Sequence, residues 1–147
     1  MIWKPNVTVA AVIERNGKFL LVEEETDEGP MFNQPAGHWE PGETLVDGVI
    51  REAREETAYT FRPEWLLGIY SWPHPRKDIT YLRFAFIGST TAHHPEQSLD
   101  AGIIRAVWLT PDEIRANQAR NRSPLVLQCV EDHLAGKRFP LDVITLR

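Results

Sequence analysis

Three glutamates within one turn of a predicted helix are the residues of this chain best suited to chemistry. Glu52 lies three residues before Glu55 and four before Glu56, so the three carboxylates would share one helix face. Like charges at these spacings destabilise an isolated helix by about 0.2–0.5 kcal/mol per pair. A hard divalent cation such as Mg²⁺ takes oxygen ligands and bridges carboxylates to substrate phosphates, so it would relieve this repulsion. The alternative is a solvated acidic face without a ligand.

The segment around these glutamates has the features of an amphipathic helix. Pro41-Gly42 predicts a turn, and Thr44 can cap the helix that follows it. Apolar residues then recur at helical spacing and predict a helix over residues 45–57. The apolar arc consists of Leu45, Val46, Val49, Ile50, Ala53 and Thr57. Arg51 and Arg54 are expected on the opposite side of this helix, where they cannot easily neutralise the glutamates.

The spacing of charged residues and glycine across this segment forms a longer pattern. Gly37 is followed six residues later by Glu43, then by Arg51-Glu52 and by Glu55-Glu56. This order resembles the signature of the Nudix hydrolases, G-x5-E-x7-R-E-U-x-E-E-x-G-U, in which U is a bulky apolar residue. Six fixed polar or glycine positions match in register, so the resemblance is specific.

The chain departs from this signature at three positions. Ala53 and Tyr59 stand at the first and last bulky apolar positions, and Ala58 stands where the family has glycine. A helix that ends in a left-handed residue accepts glycine without strain, whereas alanine is strained there. Ala58 therefore bears on how the helix ends and not on the acidic residues.

The resemblance implies a role for each matching residue. Glu52, Glu55 and Glu56 correspond to metal-binding glutamates, and a backbone carbonyl beside Gly37 would also reach the metal. Arg51 and Glu43 correspond to an ion pair that holds the preceding loop against the helix, which agrees with the general need of a metal site for supporting contacts. Glu52, Glu55 and Arg51 are the expected catalytic residues, and either glutamate, or an acid from a later loop, would accept the proton of the attacking water.

Four further side chains are candidates for contact with the substrate. Arg83 lies within an otherwise apolar stretch, and a buried charge is normally paired. It would either form an ion pair with a nearby glutamate or grip a substrate phosphate with its planar guanidinium group. Trp39, Trp72 and His74 could pack on the organic part of the substrate, although packing within the fold is an equally ordinary role.

An additional acid is expected from the polar segment at residues 90–102. The resemblance implies that such a loop supplies a further metal ligand or base, and Asp100 and Glu96 are the candidates. His93-His94 in the same segment is more typical of an exposed pair than of a metal site.

The composition of the chain indicates its domain organisation and the kind of partner that it can bind. The chain has 147 residues, is 42% hydrophobic and carries a net charge of −5. These values predict one domain, residues 1–147, with a sizeable core. The sequence has no basic block, which argues against a nucleic-acid duplex as the main partner.

The cysteine content and the length of the apolar runs indicate the cellular compartment of the protein. Cys129 is the single cysteine, which excludes an internal disulfide and a cysteine-based zinc site. The apolar run at residues 9–13 is too short to span a membrane. These features predict a cytoplasmic protein without a membrane partner, either a monomer or a homodimer.

The order of elements predicts an α/β protein with a mixed sheet and helices on both faces, which the resemblance specifies as the Nudix α/β/α sandwich. Apolar patterns predict strands over residues 7–13, 18–22, 61–72, 79–88 and 104–109. Asn16-Gly17 is the hairpin signal between the first two strands. Residues 23–30 are expected to form a polar loop with solvated carboxylates.

Two helices are predicted near the C-terminus. The first begins at Thr110-Pro111, where threonine can cap and proline suits the first helical position. The second runs from Ser123-Pro124 to Gly136. Its core face is expected to consist of Leu127, Val130 and Leu134.

Phrases outside the motif point to a narrower subgroup, the NudJ-type phosphatases. Residues 33–38 read NQPAGH, and residues 122–126 read RSPLV; both are similar to that subgroup. The resemblance implies a Mg²⁺-dependent hydrolase, with Mn²⁺ able to substitute, that acts on nucleoside di- and triphosphates and on thiamine diphosphate or its pyrimidine precursor. The alternatives are a hydrolase of ADP-ribose or an oxidised nucleotide, and a sensor that binds a phosphorylated ligand without cleaving it.

Overall fold

The computed structural model describes residues 1–146. Within them, seven strands form the order β3-β2-β1-β6-β5, with β4 beside β1 and β7 beside β2. The strands are β1 (Asn6–Arg15), β2 (Lys18–Thr26), β3 (Gly29–Asn33), β4 (Ala36–His38), β5 (Tyr59–Pro73), β6 (Thr80–His93) and β7 (Ile103–Leu109). The helices are α1 (Leu45–Thr57), α2 (Pro111–Ala116) and α3 (Leu125–Leu134), with 3-10 turns at Gln118–Arg120 and Leu141–Val143.

Strand β1 is the centre of the sheet. It runs parallel to β6 and antiparallel to β4, and residues 9–13 are buried on both faces. A hairpin joins it to β2 at Asn16-Gly17, where both residues have positive φ, 52° and 77°. A two-residue turn of this kind matches the right-handed twist of the strands, so the hairpin prediction is confirmed.

The predicted polar loop at residues 23–30 is wrong. Strand β2 continues to Thr26 and pairs with β3, which begins at Gly29. Glu23 is only 9% exposed. Its carboxylate accepts a hydrogen bond from Arg105 Nε at 2.8 Å and another from Arg120. Arginines from β7 and from the 3-10 turn at Gln118–Arg120 therefore permit a glutamate inside the sheet, and local polarity could not reveal these distant partners.

Helix α1 begins and ends as the sequence predicts. The Thr44 hydroxyl accepts a hydrogen bond from Asp47 N at 3.0 Å. At the other end, Ala58 adopts φ 61° and ψ 17°, and its N–H donates to Arg54 O at 3.0 Å. The helix therefore ends in the left-handed conformation that favours glycine, with alanine in that position.

Strands β5 and β6 form a long antiparallel pair of 15 and 14 residues. Strand β6 extends to His93, so the predicted loop begins four residues too early. His93 stacks on Tyr59 with a centroid distance of 4.2 Å, which gives the end of the strand a packing partner. The prediction for the Thr110 cap is confirmed by hydrogen bonds in both directions with Glu113.

Helices cover both faces of the mixed sheet and form an α/β/α sandwich, with one apolar cluster between the sheet and each helical layer. Helix α1 packs on one face through a cluster that includes Val9, Leu20, Val49, Ala53, Phe61 and Phe86. Helices α2 and α3 cover the other face through Ile114, Val126, Cys129 and Val130. The predicted position of Leu134 in the core is wrong, because this residue is 47% exposed.

We expect Ala58→Gly to stabilise the protein by about 1 kcal/mol, because glycine adopts a positive φ without the steric cost that alanine carries. Ala135 also follows a helix, but with φ −76°, so Ala135→Gly should destabilise. Denaturant unfolding of both variants measures the effect. If both substitutions changed the free energy of unfolding in the same direction, this explanation would be contradicted.

We expect Glu23→Gln to destabilise the fold by about 1–2 kcal/mol at neutral pH. The hydrogen bonds from Arg105 and Arg120 hold the pKa of Glu23 below its ordinary value. A carboxyl with a lowered folded pKa contributes stability above its unfolded pKa of about 4.3 and loses it as pH falls through the folded value. The difference between wild type and variant should therefore shrink below pH ~4.

The matched control for this change is Glu25→Gln, on the same strand but exposed. Unfolding free energies across a pH series give the comparison. A deficit of the Glu23→Gln variant that stays constant down to pH ~2 would show that the ion pairs are not its cause.

Candidate active site

Strand β4 brings backbone against the acidic face of α1. A methyl group placed on Gly37 would lie 2.2 Å from the Glu52 carboxyl carbon, so any larger residue here would displace the Glu52 carboxylate from its present position. Ala36 N donates to Glu56 Oε1 at 2.9 Å. The pairing of β4 with β1 at Ala10↔Ala36 and Val9↔Gly37 fixes both contacts to the centre of the sheet.

Arg51 lies among the carboxylates and not on the far side of the helix as predicted. Its Nε and Nη2 donate to the two oxygens of Glu43 at 2.9 and 2.8 Å. Its Nη1 lies 2.8 Å from Glu52 Oε1 and 3.3 Å from Glu55 Oε2. The predicted placement is wrong because Arg51 lies four residues before Glu55, so the two side chains are neighbours on one helix face. The Arg51–Glu43 pair itself lies where the sequence predicts it.

Glu56 and Glu52 are equally buried, each with 8% exposure, and Glu56 is the helix glutamate without an arginine partner among the described contacts. Burial raises its pKa to about 8, the Ala36 N–H opposes this shift, and the charges of Glu52, Glu24 and Asp100 add to it. Burial also raises the pKa of Glu52, against the effect of Arg51. The site therefore gathers more negative charge than its own cations neutralise.

The segment after β6 is fastened to the C-terminal end of α1. His94 N donates to Ala58 O, and Asp100 N donates to Glu55 O at 2.9 Å. Gln97 and Arg54 bind each other twice, through Arg54 Nε to Gln97 Oε1 at 2.5 Å and Gln97 Nε2 to Arg54 O at 2.7 Å. The bond from Asp100 N uses the Glu55 carbonyl, one of the last carbonyls of the helix, which would otherwise lack a partner.

This fastening places one of the two candidate acids at the site. The pKa of Glu55 is raised first by burial and then by the neighbouring Asp100 carboxylate. Glu96 is exposed in the same segment and does not contribute to these shifts. Asp100 thus lies beside the glutamates, and Glu96 does not.

Arg83 is buried, with 6% exposure, on the sheet face that α3 covers. Its Nη1 donates to Gln34 Oε1 at 2.8 Å and its Nη2 to Asn33 Oδ1 at 3.0 Å. Gln34 in turn donates to Val126 O. The alternative of an ion pair with glutamate is therefore wrong: within residues 1–146 neutral amides hold the guanidinium group.

The remaining predicted substrate contacts lie in two different places. The Trp39 indole N–H donates to Glu43 O at 2.8 Å, so this ring supports the loop before α1. His74 and Trp72 lie at the far end of β5, with ring centroids 5.3 Å apart, and line a separate cavity.

Glu24 is a residue of this region that the sequence analysis missed. Its carboxylate pairs with Arg122 at 2.6 Å, and its charge contributes to the raised pKa of Glu56. If the alternation of β2 had been continued from Leu20 through Val22, it would have placed Glu24 on the side of α1. The prediction of a loop from residue 23 onward removed that signal.

The carboxylate oxygens of the acidic residues are the type of ligand that a hard divalent cation prefers. In residues 1–146, no three His, Cys, Asp or Glu side chains already surround one point as metal ligands, because Arg51 and Ala36 N occupy carboxylate oxygens. Crowded carboxylates with raised pKa values, and the backbone approach that Gly37 allows, nevertheless provide the oxygen donors that Mg²⁺ or Mn²⁺ requires. The residues present therefore fit a divalent metal.

Comparison with known proteins identifies the class. The family model of the NUDIX domain matches residues 3–129, so the chain belongs to the Nudix family, whose members hydrolyse pyrophosphate bonds and generally use divalent metals. The predicted family and fold are confirmed.

The chain is also similar to particular members of the family. It is 41% identical over 143 residues to phosphatase NudJ of Escherichia coli strain K12 and equally to that of Shigella flexneri, covering 97% of this chain and 92% of each relative. A solved Nudix hydrolase from Nitrosomonas europaea is 53% identical, with a TM-score of 0.96 and 98% of both chains covered.

We expect Gly37→Ala to lower turnover by about 100-fold, because the added methyl group would displace the Glu52 carboxylate and a displacement near 1 Å has effects of this size. Gly29→Ala is the control: its added methyl meets nothing within 4 Å, although φ is +95°. It should lower stability but not turnover per folded molecule. Steady-state kinetics with circular dichroism distinguishes the two; full activity in Gly37→Ala would contradict the close packing.

Proposed function

We propose that this Nudix hydrolase is Mg²⁺-dependent and cleaves phosphate anhydride bonds of nucleoside di- and triphosphates, and of thiamine diphosphate or its pyrimidine precursor. Mn²⁺ is expected to substitute for Mg²⁺. Support comes from the similarity to relatives named phosphatase NudJ over 97% of the chain and from the excess of carboxylate at the site. The expected partner is a small phosphate compound.

The single observation that carries the proposal is the gathering of Glu52, Glu55 and Glu56 on one face of α1, with the backbone of Ala36 and Gly37 against them. Buried acids that lie together are unfavourable when ionised unless a cation compensates for their charge. A sensor without catalysis would be expected to lack one of the motif glutamates, and this chain has all of them. Hydrolysis is therefore favoured over binding alone.

Glu52, Glu55, Glu56 and the backbone carbonyl beside Gly37 would hold the metal. When bound, Mg²⁺ supplies positive charge to phosphate oxygens and makes a neighbouring water more acidic. The chain's own carboxylates Glu52, Glu55 and Asp100 are the groups able to accept a proton from that water.

Two arginines would support the reaction in different ways. Arg51 holds Glu43, Glu52 and Glu55 together, so it positions the acidic face against the loop. Arg83 is a cation without a carboxylate partner among the described residues, and it would grip a phosphate oxygen of the substrate. Arg83→Ala should then raise KM for diphosphates, and an unaltered KM would exclude this role.

We expect Glu56→Gln to lower turnover at least about tenfold and to weaken Mn²⁺ binding. Stability of the metal-free protein should not fall, because a neutral amide avoids a buried charge while its oxygen still accepts the Ala36 N–H. Glu64→Gln, at an exposed ion pair, is the control. Paramagnetic resonance of added Mn²⁺ reports binding without catalysis; unchanged binding in Glu56→Gln would remove Glu56 from the metal site.

A substrate panel tests the activity as a whole. Phosphate or pyrophosphate release is measured for nucleoside di- and triphosphates, thiamine diphosphate, ADP-ribose and an oxidised nucleotide, with and without Mg²⁺. Isotopically labelled water then identifies the phosphorus that receives the hydroxide. Preference for ADP-ribose or the oxidised nucleotide would favour the alternative substrates, and saturable nucleotide binding without turnover would favour a sensor.

A further inference from the structure

A cavity of about 540 Å³ lies between the end of β5 and the segment that leads into α3. Its lining includes Trp72 and His74 from the end of β5, and Arg122, Pro124 and Leu127 from the segment that leads into α3. Its volume falls within the range of about 300–1,000 Å³ that is common for small-molecule sites. The motif residues of α1 do not line it, so the proposed hydrolytic chemistry does not account for it.

Aromatic rings form one side of this cavity. Trp72 is half-buried and stacks on Tyr81 at a centroid distance of 6.0 Å with an interplanar angle of 18°. His74 is tilted by 55° against the same indole. Tyr81 therefore restricts the motion of Trp72. A rigid aromatic face of this kind can stack on a planar ring of a ligand.

His74 presents a defined hydrogen-bond donor beside that face. Its Nδ1 accepts hydrogen bonds from Arg76 N at 3.0 Å and Lys77 N at 3.2 Å. A ring nitrogen that accepts carries no proton, so the proton of the neutral imidazole lies on Nε2. The local turn thereby selects the tautomer in which Nε2–H can donate to an acceptor atom of a ligand.

A short segment of chain connects the cavity with the acidic site. Arg122 N donates to Phe32 O at 2.8 Å, and four residues further along Ala36 N binds Glu56. Four residues of extended chain span at most about 14 Å. Between these points Asn33 and Gln34 hold the cationic Arg83, so positive charge lies along the path from the cavity to the glutamates.

We propose that this cavity binds the planar nitrogen heterocycle of the substrate, with Trp72 against the ring face and His74 Nε2–H donating to a ring nitrogen or carbonyl oxygen. The inference rests on the proposed function, because it assumes a diphosphate at α1. The ring-bearing part of the substrate would therefore bind in this cavity and not against Trp39, whose indole supports the loop before α1.

The test compares substrates with and without a ring. Trp72→Ala and His74→Ala should each raise KM for a nucleoside triphosphate by about fivefold or more, the lower range for loss of base stacking on an aromatic side chain. Hydrolysis of inorganic tripolyphosphate, which has no ring, should be unchanged. Trp3→Ala, at an indole that is 65% exposed, is the matched control and should alter neither.

A binding measurement separates this inference from the activity. Tryptophan fluorescence of the metal-free protein is titrated with adenosine monophosphate and with thiamine monophosphate. Saturable quenching that disappears in Trp72→Phe or weakens in His74→Ala supports the cavity, even if the wild type hydrolyses no diphosphate and the proposed function fails. Normal hydrolysis with an unchanged KM for ringed substrates in both the Trp72→Ala and His74→Ala variants would overturn the inference alone.

Discussion

Mutual repulsion among carboxylates is the constraint on which this structure depends. Arg51 offers one positive charge to Glu43, Glu52 and Glu55, and Glu56 is buried without such a partner among the described contacts. Paired or coordinated charges are tolerated inside proteins, whereas uncompensated ones are costly. The fold therefore accepts a local excess of negative charge at the edge of its core. A bound divalent cation, which in turn binds a phosphate substrate, would compensate for this excess.

The rest of the sandwich serves to hold that acidic face in one geometry. Strand β1 fixes β4, and β4 brings Gly37 and Ala36 against the carboxylates. The segment after β6 binds the last carbonyls of α1 through His94 and Asp100. Two backbone elements that are distant in sequence thus approach the same helix from different sides. Rigid support of this kind matters because a metal site requires ligand positions held within a fraction of an ångström.

The proposed roles would divide the recognition of the substrate from its chemistry. The acidic residues lie with α1 on one side of the sheet, and the aromatic cavity with Trp72 lies beside α3. Residues 32–36 lead from one to the other and carry the amides that hold Arg83. Such a separation would let the cavity walls change while the carboxylates stay in place. Function in this fold is a property of these sites and not of the sandwich itself.

By itself, the sequence determined the features that depend on local spacing. Helix α1 with its Thr44 cap, the Asn16-Gly17 hairpin, the left-handed Ala58 and the register of the glutamates all follow from neighbours within a few residues. Tertiary structure alone decided what depends on distant partners. Glu23 is inside the sheet because Arg105 and Arg120 reach it, and Glu24 lies near Glu56. The physical reason is that a charge is placed by the groups that compensate for it, and in a folded sheet those groups come from strands and turns far away along the chain.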